Sequence, residues 1–163
     1  MITVRLFSFS DGVALLEFVK TIFLEFDEEF CPDTFDKDIL DVTKSYIEKG
    51  GQFWLMVDGD TIIGSIAVVP LNNKICKLRR FYVAKEYRGR GLGKKLFQGV
   101  LDYCKIKSYQ ERWLSTTPKL KDSIKFYERN GFKKSLKPLW PFKRAPFFFT
   151  LKLYIISLYP KLF

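Results

Sequence analysis

The stretch YVAKEYRGRGLGKKLF, from Tyr82 to Phe97, decides how this chain is read. Its start closes a segment, Lys74 to Ala84, with the character of a strand. Its end opens a run in which Leu92, Leu96, Phe97, Val100, Leu101 and Cys104 recur at helical spacing. Between the two lie Arg88, Gly89, Arg90, Gly91, Leu92 and Gly93. A glycine loop that enters a helix turns several backbone N–H groups toward one spot, and the missing Cβ atoms let a ligand come close. The helix dipole adds partial positive charge there, and Arg88, Arg90, Lys94 and Lys95 add full charges. A pyrophosphate is the natural guest. From Lys74 to Lys95 nine bases stand against one acid, Glu86, a density beyond what solubility asks. A dinucleotide loop is spaced GxGxxG and a Walker loop GxxxxGK followed by Ser or Thr. Here the glycines fall two apart and neither pattern occurs.

Upstream, Ile2 to Phe9 reads as a strand, with Ser10 or Asp11 as N-cap of a helix from Gly12 to about Phe26. Leu15, Phe18, Val19, Ile22, Phe23 and Phe26 give that helix one apolar face. Asp27, Glu28, Glu29, Asp33, Asp36 and Asp38 crowd the connection that follows, read as a solvated loop before a second helix from about Lys37 to Glu48. After Gly50-Gly51, strands from Gln52 to Val57 and Thr61 to Val69 meet at Asp58-Gly59, a hairpin signal because glycine accepts positive φ. Downstream, Arg112 to Thr116 is a strand, and Thr117-Pro118 starts a helix that carries Ile124, Phe126, Tyr127 and Glu128 and closes at Asn130-Gly131. Phe132 to Leu136 and Pro146 to Ile155 finish as strands around the loop KPLWPFKRA. The order β-α-α-β-β-β-α-β-α-β-β makes a mixed α/β sheet in a single domain over residues 1–163.

Composition narrows the chemistry. The 163 residues contain no histidine, which removes Ser-His and Cys-His nucleophile pairs and the commonest zinc ligand, so no metal site is expected. Cys31, Cys76 and Cys104 are widely spaced and odd in number, as expected of reduced intracellular thiols filling small gaps in a core. Residues 1–60 hold 13 acids and 5 bases, while the rest hold 5 acids and 23 bases. That split suggests two different ligands, or one ligand and one scaffold. No secretory signal follows Met1. The apolar run from Phe147 to Tyr159, interrupted by Lys152, falls well short of the roughly 20 residues that span a bilayer. The expected place is the cytoplasm, with no membrane span.

The segment Tyr82–Phe97 resembles the signature of the GNAT acyltransferase superfamily, in which a strand ends in Arg or Gln, two residues, Gly, one residue, then Gly or Ala, and enters a helix. Arg88, Gly91 and Gly93 fill those places. SIKFYERNGF, Ser123 to Phe132, is similar to the second block of that superfamily, and the element order agrees from about Ile2 to Tyr154. The resemblance implies a GNAT-like fold and an N-acetyltransferase that passes an acetyl group from acetyl-CoA, or another acyl-CoA, directly to a primary amine in a ternary complex. It implies that Arg88, Gly89, Arg90, Gly91, Leu92, Gly93 and Lys94 bind the pyrophosphate. Main-chain groups of Phe81, Tyr82 and Val83 would then hold the pantetheine and polarise the thioester. Tyr127 stands where the family often has the tyrosine that protonates the departing thiolate.

Two positions depart from the pattern: Lys77 occupies the place of a frequent glutamate base, and Leu120 that of a frequent asparagine. Asp27, Glu28, Glu29 and Glu111 are the remaining candidate bases. In this architecture the acidic connection forms a wall of the acceptor groove, so Asp27, Glu28 and Glu29 would attract a cationic amine. The aromatic loop Trp140 to Phe149 covers the groove's other side, forms a homodimer contact or is plain core. Two other classes keep a claim: a non-catalytic acyl-CoA-binding module, motivated by Lys77 and Leu120, and an acyltransferase for aminoacyl groups carried on RNA, motivated by the basic half. Against a nucleic-acid partner, no recognition module is present and the bases concentrate where CoA phosphates would lie.

Overall fold

The computed structural model describes residues 1–116, 120–135 and 151–154. β1 (Ile2–Leu6), β2 (Gln52–Asp58), β3 (Thr61–Pro70) and β4 (Ile75–Val83) pair antiparallel in succession. β5 (Glu111–Thr116) joins β4 in parallel, and β7 (Leu151–Tyr154) lies between β5 and β6 (Lys133–Ser135). Across the sheet the order is β1-β2-β3-β4-β5-β7-β6. The parallel step needs a crossover, and α3 (Leu92–Ile106) provides it.

The run IIGSIAVV in β3, polar only at the buried Ser65, is explained by burial on both faces. On one side Met56, Ile63, Ile66 and Val68 meet Leu96, Phe97 and Val100 of α3 and Tyr127 of α4 (Lys121–Arg129). On the other, Leu55, Val57, Ile62 and Ala67 meet Leu15, Val19 and Ile22 of α1 (Gly12–Glu25) together with Ile39 of α2 (Lys37–Leu40). The β2–β3 hairpin pairs Asp58 with Thr61 around Gly59 and Asp60. Of these two loop residues only Gly59 takes positive φ, at 59°, which fits the II′ pattern with glycine first. Gly51 matters for space: a Cβ there would lie 2.2 Å from the Val68 carbonyl oxygen. Gly51→Ala should therefore cost about 1–3 kcal/mol, read by urea unfolding.

Several expected boundaries are corrected. β1 stops at Leu6, and a 3-10 turn, Phe9–Asp11, leads into α1. Asp11 stands at the N-cap position, but its carboxylate accepts from the Ser8 N–H at 2.7 Å and takes both Arg5 guanidinium NH groups at 2.7 Å instead of capping α1. The single helix expected from Lys37 to Glu48 divides into α2 and a π-helical turn, Thr43–Ile47. Asp41 is the reason: its backbone leaves helical geometry (φ −145°, ψ 82°) and its carboxylate accepts from the Lys44 N–H at 2.9 Å. The Thr117-Pro118 helix start and the loop Trp140–Phe149 lie outside the described residues; α4 itself runs from Lys121. Of the last two expected strands, Lys133–Ser135 and Leu151–Tyr154 are strand among the described residues, and residues 136, 146–150 and 155 lie outside them.

Candidate functional site

β4 and β5 pair only from Ile75–Glu111 to Lys77–Trp113. Beyond Lys77, β4 keeps β3 on one side, while β5 turns to β7 from Leu114 onward. The two parallel strands thus diverge, and the backbone edge of β4 from Leu78 to Val83 has no strand partner on that side among the described residues. A bulge sharpens the divergence. Ser65 pairs with Tyr82 and Ala67 with Arg79, so Ile66 alone faces Arg80 and Phe81. Arg80 takes φ +56°, and its carbonyl, turned out of the ladder, accepts from the buried Ser65 hydroxyl at 2.7 Å.

The glycine loop lies at the mouth of this split. After the 3-10 turn Lys85–Tyr87, Gly89 and Gly91 both take φ +75°, and Gly91 is the N-cap of α3. A Cβ at either glycine would meet no atom within 4 Å, so the space before them is open. The first helical bond runs from the Lys95 N–H to the Gly91 carbonyl at 3.1 Å. The N–H groups of Leu92, Gly93 and Lys94 precede it and point out of the helix end. A cleft of about 450 Å³ opens there, lined by Val83, Arg88, Gly89, Gly91, Gly93, Lys94, Phe126, Arg129 and Asn130. Arg129 was missed in the sequence; only the docking of α4 brings this cation across to the loop. A second cleft of about 240 Å³ adjoins the first through Val83 and Arg88. It is lined also by Ile22, Phe26, Phe81, Tyr82 and residues 120–123.

The nine bases counted in the sequence do not all line the clefts. Arg80 is buried, donating through Nε to Asp38 at 2.9 Å and through an NH group to Asp36 at 2.8 Å, while Asp38 also accepts from the Tyr46 hydroxyl. Arg79 lies 3.6 Å from Asp38. Arg88 donates to both oxygens of Glu25 and, through Nε, to the Val83 carbonyl at 2.8 Å, so its guanidinium ties the loop to α1. Three acids of the front, Glu25, Asp36 and Asp38, are therefore paired with the basic back, and the burial of Asp36 and Asp38 corrects the reading of the acidic connection as a solvated loop. Among the described residues Asp27, Glu28 and Glu29 do not line either cleft; Asp122 is the one carboxylate that does. Glu111 lies at the paired end of β5, accepting from the Trp113 indole N–H at 2.8 Å. Lys77 sits in the paired segment of β4, opposite Val69 and Trp113.

Tyr127 is buried on α4, its ring 6.2 Å from Phe81, 6.1 Å from Phe97 and 5.8 Å from Phe132. Burial, with the Tyr82 phenol adding to it, pushes the Tyr127 hydroxyl far above the ordinary tyrosine range, so it keeps its proton at neutral pH. Its ring is enclosed by the aromatic cluster and does not belong to either cleft's lining.

A mixed sheet that splits between two parallel strands, with a helix N-terminus offering unpaired N–H groups at the opening, is the arrangement expected of the GNAT-like acyltransferase fold that the sequence resembles. The comparisons agree. The family model described as acetyltransferase (GNAT) family matches residues 16–132, and the chain belongs to that family. N-acetyltransferase 8F1 of Rattus norvegicus is 28% identical over 113 residues, covering 66% of this chain and 51% of the relative. N-acetyltransferase 8 of Homo sapiens is 30% identical over 113 residues, covering 66% and 50%. The chain thus spans about half the length of these relatives. A GNAT-family acetyltransferase from Staphylococcus aureus Mu50 superimposes with a TM-score of 0.84 at 28% identity, covering 95% of this chain and 98% of that one. The PaiA N-acetyltransferase of Thermoplasma acidophilum, solved in complex with coenzyme A, shares the fold at a TM-score of 0.72 and 19% identity, covering 95% and 98%. Among the described residues no helix is long and apolar enough to cross a membrane, and no cluster of metal-ligating side chains occurs.

Proposed function

We propose that this chain is an N-acetyltransferase that moves an acetyl group from acetyl-CoA to a primary amine by direct attack. The observation that carries the reading is the open edge of β4 beside the unpaired N-terminus of α3. Gly89, Gly91 and the N–H groups of Leu92 to Lys94 fit a pyrophosphate, with Lys94 and Arg129 neutralising charge. The unpaired edge of Phe81 to Val83 would hold the pantetheine as an added strand, and an N–H of that edge would polarise the thioester carbonyl.

Attack forms the C–N bond and breaks the C–S bond. Tyr127 stands where this reading expects the donor, its ring resting on Phe81 of the thioester-binding strand. Its ring lies outside both cleft linings, and burial makes its hydroxyl a weaker acid than a free tyrosine, so the assignment stands or falls on the substitution below. The ammonium of a free amine must first lose a proton, since its ordinary pKa is about 10.4. With lysine at position 77, the acceptor-side carboxylate best placed is Asp122, at the start of α4 in the cleft with Phe81 and Tyr82. Ile22, Phe26 and Phe81 in the same cleft favour an amine with an apolar substituent.

Thermal unfolding with and without acetyl-CoA tests the reading. At about 100 times Kd the expected stabilisation is about 2.7 kcal/mol, or roughly 5–11 °C; no shift would overturn the cofactor assignment. Tyr127→Phe keeps the ring packing and removes only the hydroxyl. It should lower kcat by about 100-fold or more, with acetyl-CoA affinity unchanged. Asp122→Asn should lower the rate mainly on the alkaline-rising limb of the pH profile, where deprotonation of the amine limits the reaction. Stabilisation by acetyl-CoA without thiol release across an amine panel would favour a binding module instead.

A further inference from the structure

Away from the clefts, at the paired end of β4, two thiols meet. Cys76 Sγ lies 3.6 Å from Cys104 Sγ of α3, and both residues are fully buried. Arg112 is the strand neighbour of Cys76 across the β4–β5 pairing, and it is 3% exposed. Among the described residues it has no carboxylate partner. One of its NH groups makes a long 3.5 Å contact with the Tyr109 carbonyl, and its Nε has no hydrogen-bond partner among the described residues. A buried guanidinium with an orphaned N–H is costly unless an anion forms beside it.

We propose that Cys76 and Cys104 are a reversible redox pair, with Arg112 as the built-in countercharge for the thiolate that starts the oxidation.

Cys104, on the last turn of α3 beside the exposed helix end, is the attacking thiolate, and Cys76, inside the sheet, the resolving thiol. The electrostatics agree in direction: the bond with Cys76 and the charge of Arg112 lower the Cys104 thiol, while the bond with Cys104 and burial raise Cys76. Tyr103 and Tyr109 are the other titratable groups that face the pair, and both stay neutral because burial raises them. The co-reactant is a hydroperoxide. The Cys104 thiolate attacks its terminal oxygen, the O–O bond breaks, and hydroxide or alkoxide leaves, giving a sulfenic acid. Cys76 sulfur then attacks the Cys104 sulfur; the S–S bond forms, the S–O bond breaks, and the departing hydroxide takes the Cys76 proton as water. The two sulfurs each give up one electron, and the peroxide takes both. Access comes from the helix end: Cys104 stands two residues before Ile106, the last residue of α3, which is 81% exposed, and the final turn of a helix opens most readily. The bond would staple the far end of α3 to β4, the helix and strand whose other ends form the glycine loop and the open edge.

The test uses the full chain with Cys31→Ser, which removes the half-exposed thiol and with it the route to intermolecular bonds. The folded protein is treated with hydrogen peroxide, quenched with maleimide in denaturant and mapped by mass spectrometry. The expected result is loss of two hydrogens from the intact mass, a linked peptide joining positions 76 and 104, no maleimide uptake, and full reversal by dithiothreitol. Arg112→Lys, which keeps a charge without the fork, should oxidise several-fold more slowly. Three results would each overturn the proposal: two maleimides taken up after peroxide treatment, sulfinic acid at Cys104 in place of the link, or a link that forms only in the presence of urea.

Discussion

Arg80→Met is expected to cost about 3–5 kcal/mol of folding stability, a fall of roughly 6–20 °C in melting temperature for a chain of this length. The reason is the pairing inside the sheet. Arg80 is 8% exposed, Asp36 5% and Asp38 6%, so removing the guanidinium leaves two buried carboxylates without their main countercharge. It also removes the hydrogen bond that the Phe35 carbonyl accepts from Arg80 at 3.2 Å. The effect has a pH signature. Burial alone would raise the Asp38 carboxyl, but hydrogen bonding and charge from Arg80, helped by Arg79 and Tyr46, hold it below the usual carboxylate range. A carboxyl lowered by folding contributes stability that is complete above its unfolded value, about 3.9, and is lost as pH falls through the lower folded value. In the variant, burial acts with far less opposition and the sign reverses: the folded carboxyl moves up, and protonation relieves the strain. The gap between wild type and Arg80→Met, measured by urea unfolding at pH 7 and about pH 4, should therefore narrow on the acid side. A gap that stays constant would mean the Asp38 carboxylate is not what the arginine compensates.

Gly91→Val should abolish measurable acetyl-CoA binding while leaving a folded protein. Gly91 takes φ +75°, a conformation that costs a β-branched residue more than almost any other. No atom of the protein lies within 4 Å of the added Cβ, so the side chain would project into the space the pyrophosphate needs rather than into the core. Two effects combine: the loop loses the shape that gathers its N–H groups, and the ligand loses room. The thermal shift expected of the parent with acetyl-CoA should vanish, and calorimetric affinity should fall by more than about 100-fold. Retained affinity would remove the glycine loop from the cofactor site, whereas loss of the folded baseline would show that the strain at position 91 is structural. Gly89→Ala, also at φ +75° and facing open space, gives the milder comparison.

What the amino-acid sequence determined by itself is what short-range spacing encodes. The strand, glycine loop and helix from Lys74 to Cys104, the amphipathic face of α1, the Asp58–Thr61 hairpin and the family signature were all legible, because each rests on a local period or on a residue that alone tolerates positive φ. The tertiary structure decided the partners. Asp36 and Asp38 read as solvent-facing acids until Arg80, more than forty residues on, enters between them. Arg88 lines both clefts, and only the fold shows that it also donates to Glu25 and the Val83 carbonyl; Arg129 carried no signal until α4 placed it on the cleft. The divergence of β4 from β5 was likewise invisible, since a strand's sequence records which faces are buried and not where its neighbour leaves it. The 3.6 Å approach of Cys76 to Cys104 is of the same kind: charge and thiol chemistry depend on distances that only the folded chain defines.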